Sequence, residues 1–424
     1  MNSVPQVLLD VAADVRTRLE PRFPEVAAMF RQCFLNTLET TVRRLPDGTT
    51  FVLTGDIPAM WLRDSASQIE PYVRYAAHDD DLRAMVRGVI RRQARYVALD
   101  PYANAFNENP DGQGHHDDRT ELTPWVWERK WELDSLCHPL RLLHLYHTAT
   151  GDAEVFDEDV HRMLTVAVAT MRAEQHPESS AYRFERPHPE LPTDTLVNGG
   201  RGPECGYTGM VRSAFRPSDD ACTYGYLVPA NMFAVVVLGH VAAFAHDFYG
   251  DAALAADAAA LRDEIEEGIQ RHAIVDHPRH GPVYAYETDG LGNHLLMDDA
   301  NIPSLLSIPY LGYRPATDET YRNTRAFVLS PGNPYYSEGR HARGIGSPHT
   351  KPGQVWPMSL AMQGLTSTDQ EERAELLATL AATTAGTGYI HESFDPDDPG
   401  VFTRPWFGWA NSLYAQFAME VALT

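Results

Sequence analysis

Between Asn231 and Phe248 the chain reads NMFAVVVLGHVAAFAHDF, apolar around almost the whole helical circumference. Such a segment predicts a helix buried on every side. Across Tyr249-Gly250 follows DAALAADAAALRDEIEEGIQRH, with Leu254, Ala258, Leu261, Ile265 and Ile269 on one face and acids opposite. That spacing predicts an amphipathic partner laid over the first helix. The alternation recurs. ERKWELDSLCHPLRLLHLYHTATG, with Leu133, Leu136, Leu140 and Leu143, precedes VFDEDVHRMLTVAVATMRAEQ, with Val160, Met163, Ala167 and Met171.

RDSASQIEPYVRYAAH and DDLRAMVRGVIRRQARYVAL form another such pair. So do IPSLLSIPYLGY with TDETYRNTRAFVLS, and QVWPMSLAMQGLTS with TDQEERAELLATLAATTAG. The last apolar helix, WFGWANSLYAQFAMEVAL, finds its mate near the start in EVAAMFRQCFLNTLETTV. Six buried and six amphipathic helices predict an all-α fold, an (α/α)6 toroid of six inner and six outer helices spanning 1–424 as one domain. No sequence repeat accompanies this rhythm, and an irregular helical array would give a similar one. Turn signals at PDG (46–48) and DGLG (289–292) predict short β-hairpin decorations.

With 424 residues, 43% of them hydrophobic, the chain has ample material for a large core. The net charge of −23 argues against nucleic acid or an anionic membrane as partner, because both need basic patches. No run of about 18 uncharged apolar residues predicts a membrane span, and Asp10 and Asp14 interrupt any signal-peptide core. The four cysteines form no CxxC pair, so reduced thiols and a cytoplasmic location are expected.

The unusual residues lie just ahead of the buried helices, and all seven tryptophans are among them: Trp61, Trp125, Trp127, Trp131, Trp356, Trp406 and Trp409. Each alone suits a core position. Their complete segregation to one set of loops, interleaved with Asp, Glu, Arg, Asn and His, suggests a surface that stacks on sugar rings and bonds their hydroxyls. Carboxylates for glycoside chemistry occur in the same loops, namely Asp219 and Asp220 in FRPSDDACTYGY and Glu392 in HESF. The adjacent charges make Asp219 a plausible acid, since ionising both is costly. Alternatively Ser218 and the aspartates cap a helix N-terminus, Glu392 is a surface acid, and Arg63-Asp64 is a structural ion pair. GHHDD (114–118) carries metal-type ligands but reads as a solvated turn. No HExxH, GxSxG or P-loop is present.

Five segments, TGDIPAMWLRDSASQIEPY, PWVWERKWELDSLCHP, FRPSDDACTYGYLVPANMFA, GSPHTKPGQVWPMSLAMQ and HESF followed by FTRPWFGWANSLY, occur in an order that resembles glycoside hydrolase family 125. The resemblance runs from about Arg22 to the C-terminus. It implies an (α/α)6 exo-α-1,6-mannosidase that inverts the anomeric centre without metal or cofactor. By motif it implies an acid within SDD and Glu392 as base. By analogy with related toroidal glycosidases, which tend to use the first acid of such a pair, Asp219 is the expected acid and Asp220 binds sugar or supports the site. The substrate-binding residues expected with them are Trp61, Arg63, Asp64, Glu128, Arg129, Asp134, Asp220, His349, Trp356 and Asn411. A toroidal sugar epimerase, relying on paired histidine bases, and a non-catalytic sugar-binding protein are the alternatives. The oligomeric state is not encoded in these motifs.

Overall fold

A computed structural model describes residues 4–423 of the chain. Its helices are α1 (Gln6–Leu19), α2 (Pro24–Thr40), α3 (Leu62–Val73), α4 (Asp80–Leu99), α5 (Leu133–Thr150), α6 (Glu158–Glu174) and the single turn α7 (Val197–Gly200). They continue as α8 (Val228–Tyr249), α9 (Ala252–His272), α10 (Ile308–Leu311), α11 (Glu319–Val328), α12 (Pro357–Leu365), α13 (Gln370–Ala382) and α14 (Gly408–Leu423).

The apolar helices pack side by side: α3 on α5, α5 on α8, α8 on α10, α12 on α14, and α14 back on α3. The amphipathic helices cover them from outside. The α9 helix lies along α8, α6 bridges α4 and α9, α13 covers α12, and α2 covers α14. Burial follows the sequence pattern closely. Leu254, Ala258, Leu261, Ile265 and Ile269 of α9 are buried, as are Val160, Met163, Ala167 and Met171 of α6. The α8 helix is capped off by Gly250 in the left-handed region at φ 61°, and Asp251 immediately starts α9 by accepting from the Leu254 amide. By length and composition alone α8 could cross a bilayer, contrary to the sequence expectation. Its apolar window is 67% buried inside the protein, as befits a core helix.

Two helical expectations change. The inner segment 302–313 holds only one turn, α10, because buried Asp298 binds the Leu305 and Leu306 amides in a preceding loop. A further helix, α1, packs on α2 and α14. The hairpins at PDG and DGLG are present, pairing Val42–Arg44 with Thr50–Val52 and Glu287–Thr288 with His294–Leu295. Other short antiparallel ladders were not foreseen. One joins Met60–Trp61, Ala105–Phe106 and Val126–Glu128; another joins Ser393–Asp395 to Asp398–Thr403. These ladders fix the loops that enter α3, α5 and α14, where the candidate chemistry lies.

Candidate active site

Arg63 and Asp64 occupy the first turn of α3, whose N-cap is Trp61. The start of that helix is held by the Leu62 amide donating to the Asn104 carbonyl at 3.0 Å. Arg63 is buried and grips three carboxylates. Its Nη1 donates to Glu132 Oε2 at 2.6 Å and Asp134 Oδ2 at 3.2 Å, and its Nη2 to Asp219 Oδ1 at 3.2 Å. A fourth, Asp64, lies 3.7 Å from Nε. Glu132 and Asp134 have fully buried side chains, whereas that of Asp219 is 27% exposed. Arg63 thus separates a buried acid layer from an open cavity. The cavity is lined by Trp61, Arg63, Asp64, Asp219, Asn301, His349, Trp356, Glu392, Arg404, Phe407 and Trp409, among others.

Asp219 and Asp220 do not sit at a helix mouth. The α8 helix begins at Val228 with Leu227 as N-cap and no side-chain cap. Asp219 instead adopts φ 67°, a left-handed conformation that Asp tolerates better than most residues. The kink sends the two carboxyls apart. Asp219 meets Arg63 and Asn104, and its carbonyl accepts from Lys130 Nζ at 2.7 Å. Asp220 is buried, accepts from the hydroxyls of Thr193 at 2.6 Å and Ser218 at 2.7 Å, and lies 3.5 Å from His349 Nδ1.

The expectation that mutual repulsion raises Asp219 is therefore corrected. Burial opposes its ionisation, but Arg63, Lys130 and a hydrogen bond with Glu132 outweigh burial and hold Asp219 below the ordinary carboxylate range. The raised groups are its neighbours. Burial, aided by the Asp219 charge, pushes Glu132 well up. Asp64 is raised to about 6, chiefly by burial. Burial alone would lower His349, but Asp220 brings it up to about 9, so it is an imidazolium at neutral pH.

Of the other expected site residues, Trp356 lines the cavity with its Nε1 bonded to Thr350, and Glu392 meets Arg404 Nε at 3.3 Å. Glu128, Arg129, Asp134, Asp220 and Asn411 are not among the lining residues. Glu128 is buried between Lys130, Arg186 and Asn104. Arg129 is spent on Asp100 at 2.7 Å and Thr120 at 3.0 Å. Asn411 accepts from the Ile390 amide, ordering the strand-side approach to Glu392. Only three of the seven tryptophans, Trp61, Trp356 and Trp409, reach the cavity. Trp131 is core, its Nε1 bonded to the Arg212 carbonyl. Asn104, Lys130, Glu132, Asn301 and Arg404 were missed. Glu132 stood inside the quoted WELDS segment, while Asn104 carried no signal. Among the described residues no group of three or more His, Cys, Asp or Glu is placed to hold a metal, GHHDD included.

The family pattern described as metal-independent alpha-mannosidase (GH125) matches residues 24–419. The chain belongs to glycoside hydrolase family 125. This GH125 chain is 46% identical to a Streptococcus pneumoniae metal-independent alpha mannosidase solved as a non-productive complex with alpha-1,6-mannobiose, with a TM-score of 0.97 over 100% of this chain and 99% of that one. It is also 42% identical to the meiotically up-regulated gene 157 protein of Schizosaccharomyces pombe, over 96% of this chain and 84% of the yeast protein. A bacterial glucoamylase solved with acarbose shares the fold at 12% identity, with a TM-score of 0.61 over 93% of this chain and 55% of that one. As a GH125 member the protein is a glycoside hydrolase, and the cavity at Arg63 is its candidate active site.

Proposed function

We propose that this protein is an exo-acting α-1,6-mannosidase that inverts the anomeric centre, built on a closed (α/α)6 ring whose inner staves are α3, α5, α8, α10, α12 and α14. The observation that carries the reading is one cavity that holds Asp219 and Glu392 together with Trp61, Trp356 and Trp409. Alpha-1,6-mannobiose, the ligand of the streptococcal relative, supplies the linkage. Arg63 with Glu132 and Asp134 packed behind it forms a floor. A floor of that kind favours a terminal sugar over an internal one. Asp64 and Arg63 offer an acceptor and donors for its hydroxyls, and the indoles offer apolar faces.

In this mechanism Asp219 gives a proton to the glycosidic oxygen as the C1–O bond breaks and its electron pair goes to the leaving oxygen. Glu392 takes a proton from a water that attacks C1 from the opposite face. The epimerase alternative lacks its paired bases. His349 is held as an imidazolium by Asp220, and both ring nitrogens of His391 meet backbone carbonyls, of Arg404 and Thr384, at 3.0 Å. The four unpaired cysteines fit a reducing compartment, so we assign the protein to the cytoplasm; disulfide-linked protein recovered from an oxidising compartment would contradict that assignment.

The test is early-time NMR of α-1,6-mannobiose hydrolysis, in which β-mannose must appear first. Initial α-mannose would make Glu392 a nucleophile and overturn inversion. Asp219→Asn and Glu392→Gln should each cost roughly three or more orders of magnitude in kcat, combining acid–base loss with mispositioned water. Asparagine tolerates the left-handed backbone at 219, so the first substitution isolates the chemistry.

A further inference from the structure

An acid that must donate a proton is held here in a setting that ionises it, so the proton has to be kept elsewhere. The buried layer beneath Arg63 shows where. One guanidinium faces Glu132, Asp134 and Asp219 within 3.2 Å and Asp64 at 3.7 Å. Three further cations face these acids. Lys130 lies 3.8 Å from Glu128 and reaches Asp219 through its backbone carbonyl. Arg186 lies 2.8 Å from Glu128, and the His349 imidazolium, paired with Asp220, also favours the Asp219 charge. Carboxyls outnumber cations in a site withdrawn from water, and such a site retains protons.

Two of these groups are wholly buried candidates. A proton on Asp134 Oδ1 would find no acceptor, because that atom has no hydrogen-bond partner. Glu132 differs. Its Oε2 is occupied by Arg63 and the Ser135 hydroxyl at 2.7 Å. Its Oε1 shares with Asp219 Oδ1 the same Asn104 nitrogen, 3.3 Å from each. The Asn104 amide has two hydrogens, and its shortest bond, 2.9 Å, goes to Glu128 Oε2. The hydrogen that remains cannot satisfy two carboxylates that face each other, whereas a carboxyl proton between them can.

We propose that Glu132 is the proton-holding partner of Asp219: it carries the catalytic proton in the resting enzyme and passes it to Asp219 for delivery to the leaving oxygen. The inference rests on Asp219 being the acid. As the glycosidic C1–O bond breaks, the proton on Glu132 passes to Asp219 and from Asp219 to the departing oxygen, which keeps the bonding pair, so both carboxyls of the pair are left ionised. After product leaves, the pair regains one proton from solvent and Glu392 releases the one taken from water, so the cycle is balanced. Glu132 touches no substrate; it is a positioning residue acting through Asp219. Its upward displacement by burial and by the Asp219 charge agrees with this.

The test compares two substrates. Fluoride leaves α-mannosyl fluoride without protonation, whereas the alcohol of α-1,6-mannobiose does not. Glu132→Gln should lower kcat on mannobiose by about 100-fold or more, within the usual range for general acid catalysis, and on the fluoride by less than about tenfold. The basic limb of the mannobiose pH profile should also move down by about one unit or more. Asp219 alone, beside Arg63 and Lys130, releases its proton at lower pH than a carboxyl pair sharing one. Equal losses on both substrates, or an unmoved basic limb, would overturn the role of Glu132 provided that Asp219→Asn still spares the fluoride. Equal losses in Asp219→Asn itself would remove Asp219 as acid and the proposal with it. Turnover on either substrate reports that the variant has folded.

Discussion

Replacing Arg63 with methionine keeps most of the stem and removes the charge that faces Glu132, Asp134, Asp219 and Asp64. Breaking one buried ion pair from one side costs about 3–5 kcal/mol, since the remaining charge stays uncompensated. Here three carboxylates lose hydrogen bonds of 2.6–3.2 Å at once. Proton uptake limits the loss, so a penalty of about 3–5 kcal/mol is expected rather than three times that. With an unfolding entropy near 2.1 cal/mol/K per residue, a chain of this length has about 0.9 kcal/mol/K, and Tm should fall by about 3–6 °C.

The sign of the pH dependence is the stricter check. In the wild type, burial opposes the ionisation of Asp219 but Arg63 and Lys130 prevail. Its contribution is therefore present above the unfolded-state value and lost as pH falls through the lower folded one. Without Arg63, folded Glu132, Asp134 and Asp219 keep protons that the unfolded chain has already released. The native state then binds more protons, and the stability of the variant falls as pH rises. Thermal or urea unfolding at pH 5 and pH 8 should show the larger penalty at pH 8. An equal penalty at the two pH values, or one under about 1 kcal/mol, would refute the view that Arg63 holds the acid layer together.

Asp64→Ala should lower kcat/KM on α-1,6-mannobiose by about 100-fold or more through lost positioning, and unchanged kinetics in a folded variant would make the residue structural. His349→Gln should destabilise most at pH 6 and little at pH 10. The histidine sits at about 9 when folded, so its contribution is complete below about 6.5 and lost as pH rises through 9; a penalty constant across that range would contradict the Asp220 pairing. Hydrolysis should survive prolonged chelation, and a loss restored by Ca²⁺ or Zn²⁺ would show a metal requirement.

The helix faces were legible because burial on a helix repeats every three to four residues, and α9 buries each of the five residues its spacing marks. The segment at 302–313 was not, since its apolar composition hides the loop that Asp298 ties down through two amides. At the site, sequence proximity misleads in a specific way. Asp219 and Asp220 are neighbours in the chain, and adjacency suggests that each perturbs the other. The left-handed turn at Asp219 breaks that link. Its carboxyl partners come instead from the loop after α4 and the segment leading into α5, as Asn104 and Glu132. No periodicity or motif spacing encodes such a meeting; it arises only when the short ladders before α3 and α5 bring Met60–Trp61, Ala105–Phe106 and Val126–Glu128 side by side. The sequence thus announces which residue types the chemistry requires, while the ladders decide which acid ionises and which one keeps the proton.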